Sequence, residues 1–361
     1  MLRRILYLTG VFIAASVLSG IGAGIGLPHL AKSGLSATTV LGMTALLLGF
    51  VALIASGRAL VRLASGWRRL ALLALLLVTT LLGVYLLAVP LAATFPARAS
   101  APSALPAAVT ASEVVVPTTD GEELAGWYVP STNGAAVVLL PGSGSSRAAL
   151  TRHVEALVEG GYGVLAIDPR GHGESPGRAM DFGWFGEVDI AAAVTFLENQ
   201  EDVDPDAIGA VGLSMGGEEA IGAAGADPRI QAVVAEGVTG RSAADLHWLS
   251  DVYGWRGSLT EGVHWVQTRI ADLLTPADQP PPLRESAADA SPRPILLVVA
   301  GERPDEQHTA DDIQRAAPEN VETWTVPGAG HTGGLSTDPQ GWREEVLGFL
   351  DESLRPDAGQ R

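Results

Sequence analysis

The first hundred residues are dominated by three uncharged apolar runs, Ile5 to Leu27, Leu35 to Gly57 and Leu70 to Thr94. Each has about the ~20 residues needed to cross the hydrocarbon core of a bilayer. None carries the polar stripe that a buried helix of a soluble protein would show. The pattern predicts a membrane domain of three transmembrane helices over residues 1–94. A cleaved signal peptide is the competing reading of the first run, given Arg3, Arg4 and the small residues from Gly20 to Gly26. Two further runs follow it directly, which favours the anchor. Residues 95–112 are rich in Pro and Ala, with few large apolar groups, and read as a tether.

From Glu113 the pattern changes to short β-like runs that alternate with helical stretches. Val114 to Val116 and Leu124 to Val129 read as paired strands around a turn at Asp120–Gly121. Ala135–Leu140, Tyr162–Ile167, Ile208–Gly212, Ile230–Ala235, Ile295–Ala300 and Val321–Val326 are further strands. Arg147–Gly160, Glu187–Asn199, Met215–Ala226, Thr309–Ala316 and Gly341–Leu354 read as helices. Uninterrupted apolar strands separated by helices imply an α/β domain, here residues 113–361, with a mainly parallel sheet buried on both faces. In such sheets the chemistry lies at the carboxyl ends of the strands.

Charge sharpens the division. None of the 40 acidic residues precedes residue 101, whereas eight of the 23 basic ones do, and the whole chain carries −17. Arg3, Arg4, Arg58, Arg62, Arg68 and Arg69 flank one side of the three runs, against Lys32 and Arg98 on the other. The bias of basic residues toward the cytoplasm then places the acidic domain outside the cell membrane. The acidity argues against a nucleic-acid partner, because phosphate binding needs clustered Lys and Arg. The chain has no cysteine, which removes disulfides, cysteine nucleophiles and thiolate metal sites. No metal-ligand cluster is visible, and Gly142-Ser143-Gly144 lacks the Lys and spacing of a phosphate loop, so no cofactor is expected.

The residues after the strands carry the chemistry. Gly212-Leu213-Ser214-Met215-Gly216 is a G-x-S-x-G motif between a strand and a helix. A strained turn there aims the Ser214 hydroxyl outward, and the Met215 N–H at the helix head suits an oxyanion. Pro141-Gly142-Ser143-Gly144 can supply a second oxyanion N–H, from Ser143. Pro327-Gly328-Ala329-Gly330-His331 follows the last strand and completes the order Ser, acid, His, with His331 as base.

These motifs resemble the α/β-hydrolase superfamily, with its esterase and dienelactone-hydrolase-like branches nearest. Asp168-Pro169-Arg170-Gly171-His172-Gly173-Glu174-Ser175 after the fourth strand is habitual there, and reads as structural through Arg–carboxylate pairing. The likeness covers about residues 113–354 and leaves out the membrane portion. It implies an acid after Ile295–Ala300, in Gly301-Glu302-Arg303-Pro304-Asp305-Glu306. Asp305 is nearest the expected place; Glu302, Glu306 and, after the preceding strand, Glu236 are rivals. The histidine usual in the oxyanion loop is Pro141 here. His308 lies too early to be the base. The resemblance also implies a helical cap at about 239–292, where Trp248, Tyr253, Trp255 and Trp265 could line an acyl pocket, face lipid or pack the insertion.

The expected activity is cleavage of a carboxylic ester through an acyl-serine intermediate, on a small-molecule or lipid ester beside the bilayer. Peptidase or acyltransferase chemistry on the same triad is the alternative within enzymes. A hydrolase-like domain that only binds a ligand or partner is the alternative outside them.

Overall fold

The computed structural model describes residues 1–98 and 109–355, so most of the 95–112 tether lies outside the described residues. The chain divides into two compact units. One holds Met1–Arg98 together with Val263–Pro276, and the other holds the rest of the described chain.

In the first unit the three apolar runs are helices Leu2–Ser33, Ala37–Leu63 and Arg68–Thr94, each long and apolar enough to cross a membrane. They extend beyond the charge-free runs because Arg58, Arg62, Arg68 and Arg69 are good helix formers as well as flanks. The first helix widens into a π turn at Gly22–Gly26. Glycine there permits close packing: a Cβ on Gly42 of the second helix would meet the Gly26 Cα at 2.5 Å. Close backbone approach at small residues is the usual means of holding apolar helices together in lipid.

The second unit is built on one eight-stranded sheet. Its strands are β1 (Ser112–Pro117), β2 (Glu123–Val129), β3 (Ala136–Leu140), β4 (Gly163–Ile167), β5 (Ile208–Leu213), β6 (Ala232–Glu236), β7 (Ile295–Ala300) and β8 (Val321–Val326). Their order is β1-β2-β4-β3-β5-β6-β7-β8. β1 and β2 pair antiparallel with Val116 opposite Leu124, and β2 is antiparallel to β4. All later pairs are parallel.

The unbroken apolar strands are explained by burial on both faces. Val138, Leu140, Leu165, Ile167, Val233 and Leu297 enter one core, and their neighbours Val137, Leu139, Val164, Ala166, Val234 and Val298 enter the other. Charged residues lock the rim. Arg170 pairs with Asp189 and with Asp120, both at 2.6 Å, and so ties the β1–β2 turn to the β4 loop. The Arg170 guanidinium holds the Asp120 carboxyl down at about 2. Asp168 accepts from the Arg147 and Glu174 amides and pairs with the Arg147 guanidinium.

The insertion between β6 and β7 is helical, with its longest element at Trp255–Leu274 and a shorter one at Leu283–Asp289. The sequence treats residues 239–292 as one cap. The contacts instead assign Val263–Pro276 to the unit of the long apolar helices.

Candidate active site

β5 ends at Leu213, and the helix Met215–Ala226 begins one residue later. Ser214 alone makes the turn, with φ 53 and ψ −120. This left-handed conformation is costly for a residue with a side chain, of order 1–3 kcal/mol, and is kept only where surroundings impose it. The surroundings do so through small residues and hydrogen bonds. A Cβ on Gly216 would lie 2.7 Å from the Pro141 oxygen. The Ser214 amide donates to the Glu236 carbonyl at 2.7 Å, and the Ser214 carbonyl accepts from the Gly217 amide at 2.9 Å. The hydroxyl is left at the head of the helix.

His331 comes from the loop after β8. Its Nε2 lies 2.9 Å from Ser214 Oγ, across 117 residues of sequence. Its Nδ1 lies 2.7 Å from Oε1 of Glu306. Glu306 is buried, and its other oxygen accepts the Ala300 amide at 3.0 Å. The Nδ1–Glu306 contact selects the tautomer that leaves Nε2 facing Ser214 as acceptor.

The carboxylate on His331 is therefore that of Glu306, and Asp305 is not in contact with it. Asp305 accepts a hydrogen bond from the Tyr253 hydroxyl at 3.0 Å, in exposed surroundings. The reason is local. The helix expected from Thr309 begins at Pro304 instead. Asp305 and Glu306 thus occupy successive helical positions about 100° apart, so only one can face the sheet. Proline in the first turn, followed by acidic residues, is the sequence signal for that earlier start.

Glu302 does not enter the constellation either. Glu236 is buried and accepts the Gly334 amide at 2.7 Å and the Trp342 indole N–H at 3.1 Å. It pins the loop that carries His331. Burial raises the Glu236 carboxyl above its ordinary value, against the pull of those two donors, and neighbouring Glu306 adds to the rise. His308 packs against Trp248, with ring centroids 5.1 Å apart.

Ser214 and His331 open on a cavity of about 460 Å³ whose lining includes Pro141, Ser143, Leu150, His153 and Leu213. Ser143 thus lines the same cavity as Ser214, and Met215 sits at the start of the following helix, where an N–H has no helical acceptor. None of Trp248, Tyr253, Trp255 and Trp265 lines the cavity. Trp248 packs with Tyr253 and His308, while Trp255 and Trp265 are exposed.

Sequence reading passed over His153, which sits in an unremarkable amphipathic helix, Thr151–Glu159. Its imidazole is buried edge-on to Trp342, and neither ring nitrogen has a hydrogen-bond partner among the described residues. Burial, aided by Arg152, pushes its pKa down to about 4, so the ring is neutral near pH 7. The unfolded chain takes up a proton here more readily than the folded one. The contribution to stability is full above the ordinary value of 6.5 and is lost as pH falls toward 4. His153→Phe is expected to flatten the stability profile across that window by up to about 3 kcal/mol. Unfolding of the purified chain and the variant at pH 7 and pH 4 checks this, and equal slopes would refute it.

Comparison with known proteins agrees with this fold. Residues 131–276 match the family described as serine aminopeptidase, S33, a stretch that holds Ser214. An uncharacterised protein of Mycobacterium tuberculosis is 31% identical over 266 residues, covering 72% of this chain and 86% of the relative. A thiohydrolase of Aspergillus aculeatus is 37% identical over 134 residues, covering 35% of this chain and 41% of its own. Among solved structures, an esterase of Pyrococcus furiosus superposes with TM-score 0.52 at 23% identity, covering 70% of this chain and 99% of that one. A hypothetical protein of Pseudomonas aeruginosa reaches 0.54 at 24% identity, covering 70% and 96%. These last two likenesses speak for the fold.

Proposed function

The chain belongs to the α/β-hydrolase superfamily and is a hydrolase, and from that premise we propose a membrane-anchored serine hydrolase that cleaves a carboxylic ester. The observation that carries the reading is the unbroken chain of hydrogen bonds Ser214–His331–Glu306, at 2.9 and 2.7 Å.

The chemistry follows from the geometry. His331 Nε2 takes the Ser214 proton as Oγ attacks the ester carbonyl. Glu306 orients the ring and offsets the imidazolium charge. The oxyanion forms where the Met215 and Ser143 amides can donate to it. His331 then protonates the departing alcohol, and a water activated by the same ring frees the acyl group. The cavity is of a size that takes a small ligand.

Treatment of the full chain with a fluorophosphonate probe is expected to label Ser214 and no other residue. An unlabelled protein would return the domain to a binding role. A panel of esters, thioesters and aminoacyl amides then separates the ester reading from a peptidase reading, which the S33 family description favours.

Orientation rests on six Arg residues to one side of the three helices against Lys32 and Arg98 on the other. It places the catalytic unit outside the cytoplasm. Protease added to intact cells should remove a C-terminal tag while a cytosolic marker survives. A tag protected until the membrane is opened would reverse the orientation.

A further inference from the structure

The segment Val263–Pro276 interrupts the catalytic unit and packs with the long apolar helices instead. Its inward face is Gln267, Thr268 and Ala271, all buried. The Gln267 side-chain amide donates to the backbone carbonyl of Tyr85, at 3.1 Å. Tyr85 lies nine residues before the end of the helix Arg68–Thr94, roughly 14 Å along its axis. That depth falls within the half of a ~30 Å hydrocarbon core nearer the helix end.

The outward face is unlike that of a soluble helix. Trp265 is 57% exposed and Leu273 is 85% exposed. Between them, Arg269 stands 5.7 Å over the Trp265 ring and 3.9 Å from Asp272. Tryptophan beside arginine, with leucine one or two turns on, is the composition of helices lying at a membrane interface. Water gains nothing from covering Leu273, and burying the Gln267 amide against a helix backbone is the means by which polar groups are satisfied in lipid.

We propose that Val263–Leu274 is a fourth membrane-associated segment, seated in the bilayer leaflet beside the C-terminal half of the helix Arg68–Thr94, with Trp265 and Leu273 facing lipid. The inference rests on the anchor reading of the three long helices. It gives the hydrolase a second attachment to the membrane, through its own β6–β7 insertion, besides the covalent tether.

The chain has no cysteine, so single cysteines can be spin-labelled without background. Labels at Trp265→Cys and Leu273→Cys, in the full chain in phosphatidylcholine–phosphatidylglycerol vesicles, report collisions with oxygen and with a water-soluble nickel chelate. Leu77→Cys on the third helix and Glu201→Cys on the catalytic unit serve as lipid and water references. At 265 and 273 the oxygen-to-nickel ratio is expected to approach that at 77 and to exceed that at 201 severalfold. A lipid-like ratio at 77 with water-like ratios at 265 and 273 overturns the proposal and leaves the anchor standing. A water-like ratio at 77 overturns both. Labels at 265 and 273 immobilised and closed to both reagents would mean a protein contact there, and would overturn it too.

Discussion

Ser214→Ala is expected to lower kcat for a p-nitrophenyl ester by about 10⁵–10⁶ while leaving the fold intact. The magnitude follows from how such groups act. With the nucleophile gone, His331 has no proton to accept, and what remains is the modest catalysis from oxyanion donors and binding. The fold should survive because alanine removes one hydroxyl whose partner is the His331 ring at 2.9 Å. The Ser214 backbone bonds to Glu236 and Gly217 remain. Activity within tenfold of the parent would remove Ser214 from the reaction and the acyl-serine mechanism with it.

Glu306→Gln is expected to cost about 10⁴ in kcat, and Asp305→Asn less than about threefold. The glutamine amide is isosteric, but it can present N–H instead of oxygen to His331 Nδ1, which favours the tautomer whose Nε2 carries the proton. Among the described residues the Asp305 carboxylate hydrogen-bonds to the Tyr253 hydroxyl and not to His331, so its loss leaves the triad untouched. Glu236→Gln belongs in the same series as a structural contrast. Its two oxygens accept two N–H groups, from Gly334 and Trp342, and glutamine can satisfy only one. A loss of about 1–3 kcal/mol in stability is expected, with kcat changed far less than by Glu306→Gln. A crippled Asp305→Asn beside an active Glu306→Gln would reverse the assignment of the acid.

Most of the strand pattern was legible because its cause is local. Strands buried on both faces must be apolar without interruption, and Ile295–Ala300 occupies the residues that rule selects. The elbow was legible for the same reason. A strained turn with no room for side chains on its flanks requires glycine at 212 and 216, and the motif is the visible trace of that requirement. The long apolar helices are written in composition alone, since lipid tolerates few charges along a span.

Three matters were decided by tertiary structure. Which acid meets His331 depends on where a helix starts: a run of Glu302, Arg303, Pro304, Asp305 and Glu306 offers three carboxylates within five residues, and a rotation of about 100° per residue separates inside from outside. The buried state of His153 depends on Trp342, which lies 189 residues away in the chain and packs edge-on to it. Finally, the β6–β7 insertion reads as one helical cap, yet Val263–Pro276 belongs with the long apolar helices. Local pattern records that a face is apolar or polar. It does not record what that face meets, because the partner, here the Tyr85 carbonyl for Gln267, lies 182 residues distant and is brought near only by the folded chain.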